Sequence, residues 1–152
     1  MAPAVLARFS PLLTDELVAM WRASFEHGVG VTDPHPLQDQ RDYFLQQVVP
    51  SNEVRIAMAD DELVGFVAAT RESVSQLFVK IGHARRGIGS LLLDWAKEQS
   101  NGRLWLYTFA QNRVARTFYE KRGFKAIAYG FELMWNLDDV KYEWVGDRDD
   151  RT

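Results

Sequence analysis

With 152 residues, 47% of them hydrophobic and 26% charged, the chain has the size and balance of one globular domain with a sizeable core. Its formal net charge of −3 argues against a generally basic nucleic-acid binder, and the lack of cysteine excludes disulfides, thiolate metal ligands and a cysteine nucleophile. No apolar run approaches a membrane span, MAPAVLARFSPLL has no secretory h-region, and His27, His35 and His83 show no metal-ligand spacing, so a cytoplasmic protein without a metal is expected.

In chain order, AVLARF (4–9) reads as a short strand. TDELVAMWRASFEHG follows as a helix, with Leu17, Val18, Trp21 and Phe25 at helical spacing, Thr14 or Asp15 as cap, and Gly28 and Gly30 ending it. VTDPHPLQ is a loop with two prolines, and DQRDYFLQQVV is a second helix closed by Pro50. EVRIAMA and ELVGFVAAT form a hairpin around DDE, and SVSQLFVK is the next strand. A glycine loop then leads into a helix from Ile88 to Gln99 with Ile88, Leu91, Leu92 and Trp95 as its apolar stripe. RLWLYT is a strand, NRVARTFYEKRGF a helix capped by Asn112 and ended at Gly123, and KAIAYGFELMWN with VKYEWV a last antiparallel pair. This order predicts a mixed α/β (α+β) domain over residues 1–146, with a mostly antiparallel central sheet and helices on both faces. Residues 147–152 read as a loose charged tail.

The glycine loop carries the first chemical signal. Gly87 and Gly89 match the first two glycines of G-x-G-x-x-G, but Leu92 takes the third place and the loop follows an antiparallel meander, which disfavours a dinucleotide site. No lysine follows either glycine, so a Gly-Lys-Ser/Thr phosphate loop fails too. An anion site survives both exclusions. Backbone N–H groups from Arg86 to Ser90 would point out of a first helical turn whose dipole favours negative charge. The two glycines let a phosphate approach without a Cβ in the way, and Lys80, His83, Arg85 and Arg86 supply local positive charge. A plain strand-to-helix turn with solvated arginines is the bland alternative.

The stretch LFVKIGHARRGIGSLLLDWA, followed by LWLYTFAQNRVARTFYEKRGF, resembles the GCN5-related N-acetyltransferases, the GNAT superfamily. Two motifs carry the likeness: a Gln/Arg-x-x-Gly-x-Gly/Ala loop after a strand, and a strand followed by Asn-x-x-Ala-x-x-Phe-Tyr-x-x-x-Gly-Phe. The second is matched at every position, by Asn112, Ala115, Phe118, Tyr119, Gly123 and Phe124. The first departs at Ala84, which stands at the Gln/Arg position; Ile81 replaces a common proline and Arg85 a common glycine.

The resemblance implies the GNAT fold and an acetyl-CoA-dependent transfer of an acetyl group to a primary amine of a small molecule or protein. It places the pantetheine arm along the backbone of Leu77, Phe78 and Val79, where the family opens its sheet with a bulge. A backbone N–H near Val79 would face the thioester carbonyl. The pyrophosphate would lie on Ala84, Arg85, Arg86, Gly87, Ile88, Gly89 and Ser90, with Asn112 and Tyr119 also against the coenzyme. Tyr119 is the expected general acid for the leaving thiolate, since a phenol can donate a proton there; packing alone is its alternative role. Glu72 is the low-ranked base candidate, with Glu26 and His27 beside it. Glu26, His27, Asp33, Tyr129 and Trp135 are the expected acceptor pocket. A noncatalytic acyl-CoA-binding sensor or scaffold is the competing reading. A homodimer through the C-terminal strands is a further expectation, with no nucleic-acid or membrane partner.

Overall fold

The structure is a computed structural model that describes residues 3–146; the expected charged tail at 147–152 lies outside the described residues. Among the described residues, seven strands and five α-helices follow in the order β1 (Val5–Arg8), α1 (Thr14–Val29), α2 (Leu37–Tyr43), α3 (Val49–Ser51), β2 (Glu53–Ala59), β3 (Glu62–Ala69), β4 (Val74–Val79), α4 (Ile88–Gln99), β5 (Arg103–Phe109), α5 (Arg113–Glu120), β6 (Lys125–Glu132) and β7 (Leu137–Val145). The strands form two antiparallel sheets, β1-β2-β3-β4 and β5-β7-β6.

Several elements follow directly from their residues. Asp60 and Asp61 turn the β2–β3 hairpin with φ of 51° and 63°, the paired positive values that a tight two-residue loop demands. A register shift at Ala57/Met58 makes Val64 an extra residue in β3. Beyond this bulge Leu63, Phe66 and Ala68 face α1, while Val64 and Val67 face α4. Buried on both faces, β3 reads as the nearly unbroken apolar run ELVGFVAA. Gly65 lets α4 approach: a Cβ there would lie 3.0 Å from the Phe78 carbonyl oxygen and 3.1 Å from Ile88 and Leu92.

Four boundaries differ from the sequence reading, each for a physical reason. Neither Thr14 nor Asp15 caps α1; a 3-10 turn over Pro11–Leu13 precedes it, and Thr14 Oγ1 instead donates to Pro11 O at 2.7 Å. Between α2 and α3 the helix widens into a π turn over Phe44–Val48 ahead of Pro50, which has no N–H for the ladder. On α4 the fully buried residues are Ile88, Leu92, Leu93 and Ala96, with Leu91 and Trp95 at the margin. β6 stops at Glu132, and 133–136 is a turn in which Asn136 adopts φ 58°. No glycine or proline marks that turn, so FELMWN reads misleadingly as strand.

The two sheets meet at one parallel bridge, Ser73 with Trp105, where the Trp105 N–H donates to Glu72 O at 3.0 Å. Beyond it β4 and β5 run in the same direction and part. The opening therefore lies at their C-terminal ends, at Phe78–Val79 and Phe109. The bulge of β4 is at Ser75, set by the register shift at Ala68/Ala69, and so precedes the opening by four residues.

Candidate active site

The open end of β4 has backbone to offer. Lys80 N–H donates to Val64 O at 2.8 Å, and the Phe78 carbonyl faces β3. In an antiparallel ladder this alternation turns the N–H and C=O groups of Leu77 and Val79 the other way, toward the gap between the sheets. The Val79 carbonyl confirms that direction, accepting from Ser24 Oγ of α1 at 2.8 Å. The side chains of Leu77 and Val79 pack into the α4-side core, and Phe78 into the α1-side core.

Beside this edge, Gly87 opens α4 with φ 78°, and no side chain caps the helix. Leu91 N–H is the first to bond back, to Gly87 O at 2.9 Å. The N–H groups of Ile88, Gly89 and Ser90 are thereby left at a helix N-terminus without an intrahelical acceptor. Ala84, Arg85 and Arg86 are exposed in the loop. Arg85 holds φ 66°, a conformation that suits the glycine it replaces in the motif. Glu62 braces the loop by pairing with Lys80 and standing 3.9 Å from His83 Nε2. The Lys80 hydrogen bond holds the Glu62 carboxyl below the usual carboxylate range, against a smaller effect of burial. A cleft of about 260 Å³ lies against this loop, lined by Glu62, His83, Arg86 and Ile88 among others.

The helix α5 closes the third side. Asn112 Oδ1 caps it, accepting from Ala115 N–H at 3.2 Å, and the Asn112 amide lies 3.0 Å from where a Cβ on Gly28 would sit. Tyr119 is 7% exposed, with its ring against Phe118, Phe124 and Tyr142. Its hydroxyl has no hydrogen bond among the described residues, and burial pushes the phenol well above its ordinary value. A phenol in that state stays protonated at neutral pH and is able to donate.

Sequence reasoning matched Phe118 only as a motif position, with no role, and missed Arg122. The Phe118 ring fills the space over Gly89, where a Cβ would meet it at 2.8 Å. Arg122 lies 3.8 Å over that ring and reaches Ser90 Oγ through Nε at 3.1 Å and Nη2 at 2.9 Å. The motif treats position 122 as variable, so no pattern singled it out. Ser24 carried no sequence signal either.

On the opposite side, the α1–α2 connection and the β6–β7 turn come together. Glu26 Oε2 accepts from Asp33 N–H at 2.7 Å, and the Trp135 ring packs on Phe25 at 4.9 Å and His35 at 5.9 Å. Glu26, Asp33 and Trp135 thus stand in one neighbourhood. The others do not join them. His27 is exposed without a hydrogen bond among the described residues, and Tyr129 is 72% exposed on β6. Glu72 stands at the N-terminal end of β4, seven residues or about 23 Å of strand from Val79, too far for a base acting there.

These elements match a known family. The profile of the Acetyltransferase (GNAT) domain covers residues 50–126. The chain belongs to the GNAT acetyltransferases. A curated relative, peptidyl-lysine N-acetyltransferase YjaB of Salmonella typhimurium, is 30% identical over 112 residues, which span 73% of this chain and 76% of that protein. Among solved structures, apo YjaB from Escherichia coli superposes with a TM-score of 0.77 at 22% identity, over 95% of this chain and 99% of its own. The PaiA N-acetyltransferase of Thermoplasma acidophilum, in complex with coenzyme A, gives 0.73 at 20% identity, over 93% and 98%. The GNAT chain is an acetyltransferase whose donor is acetyl-CoA. The uncapped amides of α4 and the free edge of β4 suit that donor's pyrophosphate and amide groups. Among the described residues, no helix is long and apolar enough to cross a membrane and no His/Cys/Asp/Glu group could hold a metal.

Proposed function

We propose that this GNAT protein acetylates the ε-amine of lysine in a peptide or protein by direct transfer from acetyl-CoA. The carrying observation is the Leu77–Val79 edge, its N–H and C=O groups turned away from β3 beside an uncapped helix N-terminus. The lysine acceptor is supported by the name of the curated YjaB relative.

In this reading the N–H groups of Ile88, Gly89 and Ser90 bind the pyrophosphate, with Arg85 and Arg86 supplying charge and Asn112 flanking the arm. Acetyl-CoA supplies an activated thioester. The backbone of Leu77 and Val79 aligns it as an added strand would, and the Val79 N–H faces the carbonyl oxygen where negative charge develops. Tyr119 donates its proton to the departing sulfur. Residues 1–146 act as one catalytic domain, in the cytoplasm in keeping with the absence of cysteine.

The edge for self-association in this reading is β6. That strand is the outer edge of its sheet and exposes Ile127, Tyr129 and Phe131, whereas β7 is paired on both sides and offers no edge.

Thermal unfolding with acetyl-CoA, against NAD and ATP, tests the donor site. Ligand at about a hundred times its Kd adds roughly 2.7 kcal/mol to stability. Thiol release with an Nα-blocked lysine peptide tests the acceptor. A shift with acetyl-CoA but no turnover on any amine would instead favour a binding module.

A further inference from the structure

An arginine at a position the motif leaves variable is locked against the uncapped start of α4. Arg122 lies just past α5, where the Phe124 N–H closes back on Tyr119 O at 3.1 Å and Gly123 takes φ 91°. Lys97 Nζ donates to the Arg122 carbonyl at 2.7 Å, and the next side chain but one, Phe124, is 2% exposed. The backbone at Arg122 is therefore held from both sides. From that anchor the side chain runs along α4 to Ser90, about 10 Å of helix before Lys97. On the way its guanidinium crosses the Phe118 ring at 3.8 Å, and Nη1 donates to Phe118 O at 2.9 Å.

Hydrogen-bond polarity decides what this contact does. A hydroxyl has two lone pairs to receive protons and one proton to give. Arg122 donates to Ser90 Oγ twice, through Nε at 3.1 Å and Nη2 at 2.9 Å, and so fills both lone pairs. A guanidinium has no lone pair of its own, so it cannot take the serine proton in return. Ser90 is left able only to donate. A serine inside a helix often turns its proton back onto the carbonyl four residues before. Among the described residues Ser90 makes no such bond, and its hydroxyl proton has no acceptor.

Ser90 is the third residue of α4, and its N–H is one of the amides left without an intrahelical acceptor. Side chains tilt toward the N-terminus of their helix. The hydroxyl proton is therefore presented at the same end as the amides of Ile88, Gly89 and Ser90. The charge around it is positive as well. No carboxylate pairs with Arg122 among the described residues. Burial holds the Lys97 ammonium below its usual range, with Asp94 opposing this and the charge of Arg122 adding to it.

We propose that Arg122 is a positioning residue of the donor site: it fixes Ser90 Oγ as a hydrogen-bond donor to the pyrophosphate of acetyl-CoA. This rests on the placement of the pyrophosphate at α4 given above. The Nε–Nη2 edge of a guanidinium is the one that grips a phosphate with two parallel bonds. Here that edge is engaged on Ser90, so Arg122 acts through the hydroxyl and not by direct contact. The fixed hydroxyl supplies a side-chain donor to a loop that has Ala84 at the Gln/Arg position.

The test compares acetyl-CoA with S-acetyl-pantetheine, which carries the same thioester arm and no pyrophosphate. Affinities are measured by calorimetry and, for the weaker ligand, by NMR titration, with the thermal midpoint alongside. Ser90→Ala and Arg122→Met should each weaken acetyl-CoA about tenfold, as for a lost hydrogen bond to a charged group. Both should leave S-acetyl-pantetheine within about twofold. The double variant should be no weaker than either single change by more than about twofold, because the two residues act as one donor. Losses that multiply in the double variant would mean that Arg122 touches the phosphate itself. Equal losses for both ligands would mean that the contact only ties α5 to α4. Recovery of affinity in Arg122→Lys would mean that charge alone matters, since an ammonium has no fork to fill both lone pairs. Each of these overturns the proposal. Ser90→Ala decides it even where the Arg122 variants fail to fold: alanine suits the first turn of a helix, and unchanged acetyl-CoA affinity there refutes the role. A native protein that binds acetyl-CoA no more tightly than S-acetyl-pantetheine would instead overturn the pyrophosphate placement, and this proposal with it.

Discussion

Gly89→Ala probes the packing that sets α5 against the mouth of α4. The new Cβ would stand 2.8 Å from Cε1 and 3.0 Å from Cζ of Phe118. The ring has little freedom to retreat, with Arg122 at 3.8 Å on it and Tyr119 at 5.1 Å edge-on. Overpacking of this kind costs about 1–3 kcal/mol. Replacing glycine by alanine in a helix returns about 0.5–1 kcal/mol. The balance is a destabilisation of up to about 2.5 kcal/mol, or a midpoint lower by up to about 10 °C at the 2–4 °C per kcal/mol usual for this size. Thermal unfolding of Gly89→Ala, Phe118→Leu and the double variant checks this. The double variant should recover most of the loss from the glycine change, because the smaller side chain leaves room for the methyl. On the proposed donor site, acetyl-CoA affinity should also fall in Gly89→Ala, since Arg122 holds Ser90 at the uncapped amides of α4. A variant that melts above the native protein, with its coenzyme affinity intact, would refute the idea that Phe118 is wedged on Gly89.

Tyr119→Phe should lower kcat by about 100-fold or more while moving the thermal midpoint little, because the hydroxyl has no partner to lose among the described residues. Burial raises this phenol above its unfolded value of about 10, so the stability linked to it is intact below pH 10 and declines as pH rises further. Any fall in kcat assigned to Tyr119 ionisation should accordingly begin only above pH 10, and one centred near pH 8 would belong to another group. Arg85→Gly relieves a left-handed arginine at φ 66°. Stability should hold or rise by up to about 1 kcal/mol in denaturant titration. Acetyl-CoA affinity should weaken several-fold and lose part of its salt dependence, as expected for a lost charge on phosphate. Ser24→Ala removes the donor on the Val79 carbonyl and should cost about 1 kcal/mol, while Ser24→Thr retains it. Calorimetry on the two variants separates hydroxyl from bulk.

Much of the donor side was legible in the chain because its chemistry is local. An uncapped helix start announces itself by Gly87 and Gly89, and the Asn112-to-Phe124 spacing fixes one face of one helix. Those signals located the uncapped start of α4 and the Asn112 cap, and singled out Tyr119, whose ring the structure buries. The opening was less legible, because it depends on where two strands distant in sequence stop pairing. Ser73 and Trp105 form that last bridge, and nothing in either residue's neighbourhood marks it. The β6–β7 turn was missed for the opposite reason. Leu133 and Met134 look like strand, yet they are exposed at a turn made by Asn136 in place of glycine.

The acceptor side was the least legible, and its residues show why. His35 is unremarkable beside Pro34 and Pro36, and only the fold sets its ring between Asp33 and Trp135. Asp33 owes its position to Glu26 and Arg22 on α1, and His35 owes its neighbour Trp135 to a hairpin 100 residues on. None of these pairings repeats at a helical or strand period, so no periodicity could gather them. The coenzyme side is built from backbone, which a motif can encode in a few residues. The expected acceptor side is built from side chains on one helix and two separate connections, which only the folded chain brings together. A family that keeps one donor and changes acceptors can vary those connections freely, since loops on a fixed scaffold tolerate exchange. The residues that choose the amine are therefore the ones a family motif leaves blank.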